Sequence, residues 1–292
     1  MFLFFITKGA SYHYGKHIVL LQKAQRFVME GIWFNYKRHI DMIEEQLRML
    51  ADRYETAKFL DGDPSWFMHQ VEDDCSRETL AFVAASLSYG SRKQFLPKIQ
   101  YLLDSSIKRK VTFYEWVNRG LFAEDVPDDS GRCFYRLYTF HTMYMMLNVL
   151  KEMLEEYGTI KNYLLASAQC DKMAAIEALQ LIVDYCASRG IEGIIPKNTK
   201  SSCKRICMFL RWMVRDNSPV DLGLWSDIID KKTLIMPMDT HVVQEANRLG
   251  LMQSKATSMS SAIKLTERLR KIFPEDPLKG DFALFGLGVG EV

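Results

Sequence analysis

Long apolar segments are missing from this sequence. It contains no apolar run of eighteen residues or more, because stretches such as Phe82 to Leu87 are soon interrupted by polar residues. A run of about that length is needed for a helix that crosses a membrane. The apolar start, Met1 to Ile6, is too short for the core of a signal peptide. The sequence therefore predicts neither a membrane span nor export.

Cysteines are few and scattered. The chain has 6 of them, and this pattern in a long chain is typical of reduced intracellular thiols, so we expect a cytoplasmic protein. Cys203 and Cys207 lie close together, but no second pair or nearby histidine follows them. Buried helix thiols explain this spacing better than a zinc site. The sequence predicts no metal.

Neither sign of charge dominates. The 38 Lys and Arg nearly cancel the 36 Asp and Glu, which leaves a formal net charge of +2. Bulk charge therefore predicts no class of partner, and an anion-binding surface must come from local clustering. With 48% hydrophobic and 25% charged residues the chain has a globular composition, which excludes disordered, collagen-like and coiled-coil proteins.

Helical spacing of apolar residues recurs along the chain, whereas strand-like alternation is scarce. Ile40, Ile43, Leu47 and Leu50 predict an amphipathic helix over about residues 37–56. Further helices are predicted over about residues 77–89, 92–105, 132–157, 172–188, 202–215, 240–249, 258–272 and 278–287. The predicted fold class is all-α. Residues 1–29 are predicted to be an N-terminal extension or a mis-assigned start, and residues 30–292 a single domain.

The densest stretch of one charge sign runs from residue 197 to residue 215. At 100° per residue, Lys204, Arg211 and Arg215 fall near one line along a helix, opposite an apolar side. This pattern predicts a cationic face that can bind phosphate. Taken alone, it is more typical of the solvated face of an ordinary amphipathic helix. The stretch contains no acidic residue, and its basic residues are Lys197, Lys200, Lys204, Arg205, Arg211 and Arg215.

The residues that follow resemble a known superfamily. After Pro237, the run Asp239-Thr240-His241-Val242 opens a helix, and Arg248 to Leu251 follows it. These residues resemble the catalytic-aspartate segment of the helix-hairpin-helix DNA glycosylases, which include endonuclease III and the 8-oxoguanine glycosylases. The early turn, lysine-bearing hairpin and late helix of that superfamily resemble residues 87–90, 193–205 and 281–286. Residues 40–290 look more closely like an uncharacterised bacterial family within it.

The resemblance implies a two-lobed helix-hairpin-helix DNA glycosylase-like fold. Its cleft would lie between a lobe around residues 75–190 and a lobe of the N-terminal and C-terminal helices. The implied function is a DNA glycosylase, with AP-lyase activity, that excises an oxidised base such as 8-oxoguanine in base-excision repair. The implied partner of this monomeric, nucleoid-associated protein is double-stranded DNA with a damaged base. No four-cysteine cluster follows the late helix, so neither an iron–sulfur centre nor another cofactor is expected.

The resemblance assigns catalysis to Lys204 and Asp239. Cleavage of an N-glycosidic bond builds positive charge on the sugar, which a nearby carboxylate such as Asp239 stabilises. Lys204 would be the nucleophile, whose neutral amine forms a Schiff base after base loss. Thr240 and His241 would support Asp239 from the same turn. Without the resemblance, Asp239 is better explained as a helix N-cap, with Thr240 as the competing cap and His241 as a structural histidine.

Contacts with DNA are predicted in two regions. A damaged base must leave the duplex, and Tyr89 and Gly90 lie where the superfamily places intercalating residues, although a glycine there is more often a helix C-cap. The basic residues of the 197–215 stretch would contact phosphates. The predicted hairpin, residues 193–202, is longer than usual and has one early glycine. This departure favours the alternative of a non-catalytic nucleic-acid-binding or interaction module that retains the fold.

Overall fold

The computed structural model describes residues 38–168, 172–191 and 193–288. The chain divides into two units, residues 1–47 and residues 48–292. In the first unit the described residues, 38–47, are helical. The predicted extension over residues 1–29 and its boundary lie outside the described residues.

Helices dominate the described residues, so the prediction of a mostly helical chain is confirmed. Helix α1 covers residues 38–54. The other α-helices are α2 (Asp74–Leu87), α3 (Arg92–Lys108), α4 (Phe113–Asn118), α5 (Phe140–Tyr157), α6 (Ile160–Ser167), α7 (Ala175–Ser188), α8 (Lys204–Val214), α9 (Thr240–Arg248), α10 (Met259–Ile272) and α11 (Lys279–Gly288). Short 3-10 helices lie at Ala57–Leu60, Pro64–His69, Leu121–Glu124 and Lys231–Thr233. Helices α4 and α6 were not predicted. Within the described ranges, no helix is long and apolar enough to span a membrane.

A β-hairpin replaces the first turns of the helix predicted over residues 132–157, so that prediction was wrong at its start. Strands β1 (Cys133–Tyr135) and β2 (Tyr138–Thr139) pair in an antiparallel arrangement. At the tip, Arg136 has a φ of 52°, a left-handed conformation that interrupts a helix. The side chain of Thr139 then caps α5, which begins at Phe140. Aromatic and β-branched residues favour strands in this run, although the helical spacing of α5 continues into it.

Helices α2 and α8 pack against each other in the core of the second unit. The ring of Phe82 on α2 lies edge-to-face on Phe209 of α8, and Phe209 lies in the same way on Trp225. The predicted apolar side of α8 is fully buried. Helix α11 packs against α9. This core fixes the position of the first turn of α8, where Lys204 lies.

Candidate active site

Lys204 is the first residue of α8, and the backbone before it is strained. Cys203 precedes the helix with a φ of 47° and a ψ of 37°. A non-glycine residue in this left-handed region costs about 1–3 kcal/mol, and such strain is concentrated at functional sites. Carbonyl oxygens and a hydroxyl surround the buried thiol of Cys203, which lies within 3.6 Å of Asn198 O and Ser201 Oγ. The loop before α8 therefore holds Cys203, the residue that immediately precedes Lys204, in its strained conformation.

Asp239 performs two tasks at the start of α9. Its Oδ1 accepts a hydrogen bond of 2.9 Å from the backbone N–H of Val242, so it is the N-cap of the helix. Its Oδ2 lies 2.8 Å from Nζ of Lys204. The loop before α8 is attached to the same segment, since the hydroxyl of Ser202 donates to the carbonyl of Met238 at 3.0 Å. The predicted pair of Lys204 and Asp239 is thus brought together, and the capping interpretation is also correct.

A first pocket, the α11 pocket, lies on one side of this pair. It has a volume of about 290 Å³. Phe59 and Phe285 form an aromatic wall with their ring centroids 4.8 Å apart. Opposite charges pair within it: Arg92 Nη2 lies 3.2 Å from Asp63 Oδ2. Asp281, at the start of α11, also contributes to the wall.

A second pocket, the α2 pocket, lies on the other side of the pair, between the end of α2 and the loop before α8. It has a volume of about 360 Å³, and Tyr89, Gly90, Ser201 and Arg205 line it together with the pair itself. Tyr89 is 43% exposed. The guanidinium carbon of Arg136, at the hairpin tip, lies 5.1 Å from the centroid of the Tyr89 ring. Lys204 and Asp239 therefore lie in a wall that is shared by the two pockets.

Arg205 connects three segments that border the α2 pocket. Its Nη1 donates to Ser86 O at 2.8 Å and to Tyr138 Oη at 2.7 Å, and its Nη2 donates to Gly193 O at 2.9 Å. These acceptors belong to the end of α2, the β-hairpin and the loop after α7. The guanidinium thus has defined protein partners while it also lines the pocket, and the contact of Arg205 with a DNA phosphate stays a prediction.

One protein family, described as "Protein of unknown function (DUF2400)", matches residues 63–290. The chain belongs to this family. The match includes Lys204, Asp239 and both pockets apart from Phe59. No curated protein and no solved structure matches the sequence.

For this DUF2400 chain, the prediction of a cationic face on α8 is wrong for Arg211 and Arg215. Arg211 and Arg215 are 4% and 1% exposed, so Arg215 cannot reach a DNA phosphate and Arg211 reaches only the wall of the α11 pocket. Both belong to a buried network of ion pairs, the α8 network. In it, Arg211 pairs with Asp221 and Asp281, and Arg215 with Asp221, Asp276 and Glu55. These carboxylates come from segments that are distant in sequence, and the periodicity of α8 alone cannot reveal them.

The remaining predicted residues belong to the loop before Lys204 and to the helix turn that follows Asp239. Lys197 and Lys200 are exposed in the loop before α8, and Thr240 and His241 are exposed in the first turn of α9. His241 lines the α11 pocket and lies against Gly288, where an added Cβ would come within 1.7 Å of Nε2. Within the described part of the chain, no group of three or more His, Cys, Asp or Glu side chains is placed to hold a metal ion.

The sequence interpretation missed several of the residues that line the α11 pocket. The aromatic signal was present in the late helix, which contains Phe285, but nothing in the sequence links it to Phe59. Asp281 was noted only as the first residue of the segment, residues 281–286, that resembles the late helix of the superfamily. Arg92 and Asp63 lie 29 positions apart in sequence and meet only in the folded chain.

The two tasks of Asp239 predict different effects for two substitutions. Asp239→Asn keeps an oxygen that accepts from Val242 N–H, whereas Asp239→Ala removes the cap and is expected to cost about 0.5–2 kcal/mol of unfolding free energy. Urea unfolding at neutral pH measures both variants. Equal destabilisation by the two substitutions would contradict the capping role.

The ion pair adds a pH dependence. Burial alone raises the pKa of Asp239, but the attraction of Lys204 and its hydrogen bond outweigh this and hold the pKa below its usual value. A carboxyl whose pKa is lowered by folding stabilises the folded state above its unfolded pKa, and this contribution is lost as the pH falls through the folded value. The stability difference between wild type and Asp239→Asn should therefore disappear in acid.

Proposed function

We propose that this protein is a DNA glycosylase with AP-lyase activity, which removes an oxidised base such as 8-oxoguanine from double-stranded DNA. The observation that carries the proposal is the 2.8 Å contact between Lys204 Nζ and Asp239 Oδ2 in a wall shared by two pockets. An amine and a carboxylate in contact at the edge of a pocket are the groups that this reaction requires. We further propose that the helical chain has the two-lobed helix-hairpin-helix glycosylase-like fold, with α7, its following loop and α8 as the hairpin.

In the proposed reaction, Lys204 attacks the sugar carbon that carries the damaged base. The neutral amine forms a bond to this carbon while the bond to the base breaks and its electron pair leaves with the base. Asp239 accepts the amine proton and stabilises positive charge on the sugar. Opening of the sugar ring then gives a Schiff base on Lys204, from which the DNA strand can be cleaved by elimination.

The α11 pocket suits an extruded base. Its volume of about 290 Å³ is near the lower limit of small-molecule sites, which is about 300 Å³. A flipped base is held by stacking on aromatic rings and by hydrogen bonds to its edges. Phe59 and Phe285 supply the rings, and Asp63, Arg92 and Asp281 supply polar groups.

The α2 pocket suits the DNA strand. The N-terminus of α8 faces it, and Cys203 makes no side-chain cap there. Helix N-termini bind phosphate groups through backbone N–H groups and the helix dipole. The half-exposed ring of Tyr89 lines this pocket, and the exposed Lys200 precedes Ser201, another lining residue.

Borohydride trapping tests the proposal. The protein is incubated with labelled duplexes that carry 8-oxoguanine, another oxidised base or an abasic site, and borohydride reduces any Schiff base to a stable covalent adduct. We expect an adduct with the abasic duplex and with at least one damaged base. A folded protein that forms no adduct and releases no base from any duplex would contradict the proposal.

One observation favours the alternative of a non-catalytic nucleic-acid-binding module. Both carboxylate oxygens of Asp239 already have partners that stabilise the fold, the N–H of Val242 and the amine of Lys204. A protein that binds duplex DNA in a mobility-shift assay but forms no adduct would match this alternative.

A further inference from the structure

Two arginines at the β-hairpin lie over aromatic rings. At the hairpin tip, the guanidinium carbon of Arg136 is 5.1 Å from the centroid of the Tyr89 ring. At the hairpin base, the guanidinium carbon of Arg132 is 3.6 Å from the centroid of the Phe140 ring. Among the described residues, neither guanidinium group forms an ion pair with a carboxylate. Both arginines are exposed, so the hairpin carries positive charge at the protein surface.

The acids that precede the hairpin are occupied by other groups. Asp128 pairs with Nδ1 of His141. Oδ1 of Asp129 accepts hydrogen bonds of 2.9 and 3.2 Å from two backbone N–H groups at the base of the hairpin. Neither acid contacts the guanidinium group of Arg136, whose positive charge therefore has no direct carboxylate partner in the described part of the chain.

Contact with an aromatic ring leaves the N–H groups of a guanidinium group available. The five N–H donors of arginine lie in the plane of the group, so a ring below that plane does not occupy them. The side chain of Arg136 forms no hydrogen bond with any residue that the structure describes. A phosphate accepts two such N–H groups at once. The hairpin tip therefore presents a positioned group that suits a phosphate.

Two tyrosines attach the hairpin to the border of the α2 pocket. The hydroxyl of Tyr135 donates a hydrogen bond to the backbone carbonyl of Tyr89. Oη of Tyr138 accepts a hydrogen bond of 2.7 Å from Arg205. Because Tyr89 and Arg205 line the α2 pocket, these contacts fix the hairpin beside it.

Gly90 leaves room for the guanidinium group of Arg136. It lines the α2 pocket and has a φ of 83°. A Cβ at this position would collide with Nη1 of Arg136 and would lie 3.0 Å from Oη of Tyr135. The guanidinium group thus lies directly against the backbone of the pocket wall.

The backbone at the hairpin tip is unfavourable for an arginine. Arg136 has a φ of 52°. Hairpin turns usually have glycine, asparagine or aspartate at positions with a positive φ. Strained residues other than glycine are concentrated at functional sites. An arginine at this position therefore indicates that its side chain has a role that glycine could not perform.

We propose that the β-hairpin is a phosphate-binding arm of the α2 pocket, in which Arg136 binds a phosphate of the DNA strand. This inference rests on the function proposed above, which places the DNA strand in that pocket. The sequence predicted phosphate contacts at Arg211 and Arg215, but both are buried. Arg136 supplies an exposed cation from a segment that the sequence predicted to be helical.

The salt dependence of DNA binding tests the inference. The probe is a labelled duplex with a stable abasic-site analogue, and fluorescence anisotropy measures its affinity over a series of salt concentrations. Loss of one phosphate contact reduces the slope of log affinity against log salt by about 0.9. We expect this reduction in Arg136→Gln. Arg136→Lys keeps the charge and should keep the slope, but it should bind more weakly because it loses the planar pair of donors.

Two further variants separate a lost contact from other effects. Arg136→Gly also removes the charge, and glycine suits the left-handed backbone, so this variant should remain folded and show the same reduction in slope. Arg270→Gln is the matched control, since it changes the net charge equally. The guanidinium group of Arg270 lies 2.5 Å from Glu267, so its loss should leave the slope unchanged. Wild-type slopes in both Arg136→Gln and Arg136→Gly, or an equal reduction in Arg270→Gln, would overturn the inference.

Borohydride trapping with wild type separates this inference from the proposed function. A wild type that forms no adduct would contradict the glycosylase, whereas a reduced slope in the Arg136 variants would still support the phosphate contact. Normal trapping by wild type together with unchanged slopes in the Arg136 variants would overturn the phosphate-binding arm alone. A wild type that binds no duplex would overturn both.

Discussion

Replacement of Lys204 by glutamine is expected to abolish the borohydride-trapped adduct with abasic DNA. Loss of a catalytic nucleophile typically lowers the rate by about 10⁴-fold or more. Glutamine has no amine that can form a Schiff base, so the covalent intermediate cannot form. The measurement is the fraction of labelled duplex that becomes covalently attached to protein after reduction.

The fold should tolerate this substitution. Lys204 and Asp239 are 36% and 37% exposed, and exposed ion pairs contribute little to stability. The cap that Asp239 provides to α9 does not involve Lys204. Thermal unfolding of the variant should therefore resemble that of wild type, so that a lost adduct reports on chemistry.

Two further variants make the assignment specific. Lys204→Arg keeps a positive charge beside Asp239 but has no nucleophilic amine, so it should bind DNA and form no adduct. Lys200→Gln removes an exposed cation from the loop before α8, and it should weaken binding while adduct formation persists at saturating DNA. A trapped adduct that survives in Lys204→Gln would assign the nucleophile to a different amine.

The central pair of the site was predicted from the resemblance to the glycosylases, whereas local features predicted only where each residue lies in its helix. Asp239 follows a proline and precedes a helix, which is the pattern of an N-cap, and the structure confirms that cap. Lys204 opens a helix whose apolar side is evident from its spacing. What brings them together, the bond from Ser202 to Met238 and the backbone of Cys203, leaves no periodic signal in the sequence.

The surroundings of α8 could not be predicted from its own pattern. A line of cations on a helix is most often a solvated face, but it is also compatible with a bound anion and with buried carboxylates from other segments. For Arg211 and Arg215 the last is true, and their partners lie at positions from Glu55 to Asp281.

The β-hairpin was missed for a different reason. Tyr138 and the residues around it are aromatic or β-branched, which favours strands, but the helical spacing of α5 begins immediately after them. The left-handed backbone of Arg136 turns the chain between the two strands, and no glycine marks this turn in the sequence.

Arg215→Met is expected to lower the free energy of unfolding by about 3–5 kcal/mol, the cost of removing one partner from a buried ion pair. Arg215 is 1% exposed, and its guanidinium lies 2.8 Å from Asp276 and 2.7 Å from Glu55, and also contacts Asp221. The variant would leave these three carboxyl groups without Arg215, and Asp221 would still contact Arg211. Urea unfolding at neutral pH measures the loss.

The loss should depend on pH in a defined direction. Burial raises the pKa of Asp221 already in wild type, and loss of Arg215 removes a charge that opposes this. The folded variant therefore binds more protons than its unfolded chain, and its stability relative to wild type should recover as the pH falls and decline as it rises. Arg205→Met is the matched control on the same helix, because the guanidinium of Arg205 contacts neutral acceptors. Its destabilisation should not change with pH. The destabilisation of Arg215→Met could also prove insensitive to pH. In that case it would not come from the carboxyl groups that Arg215 contacts in the α8 network.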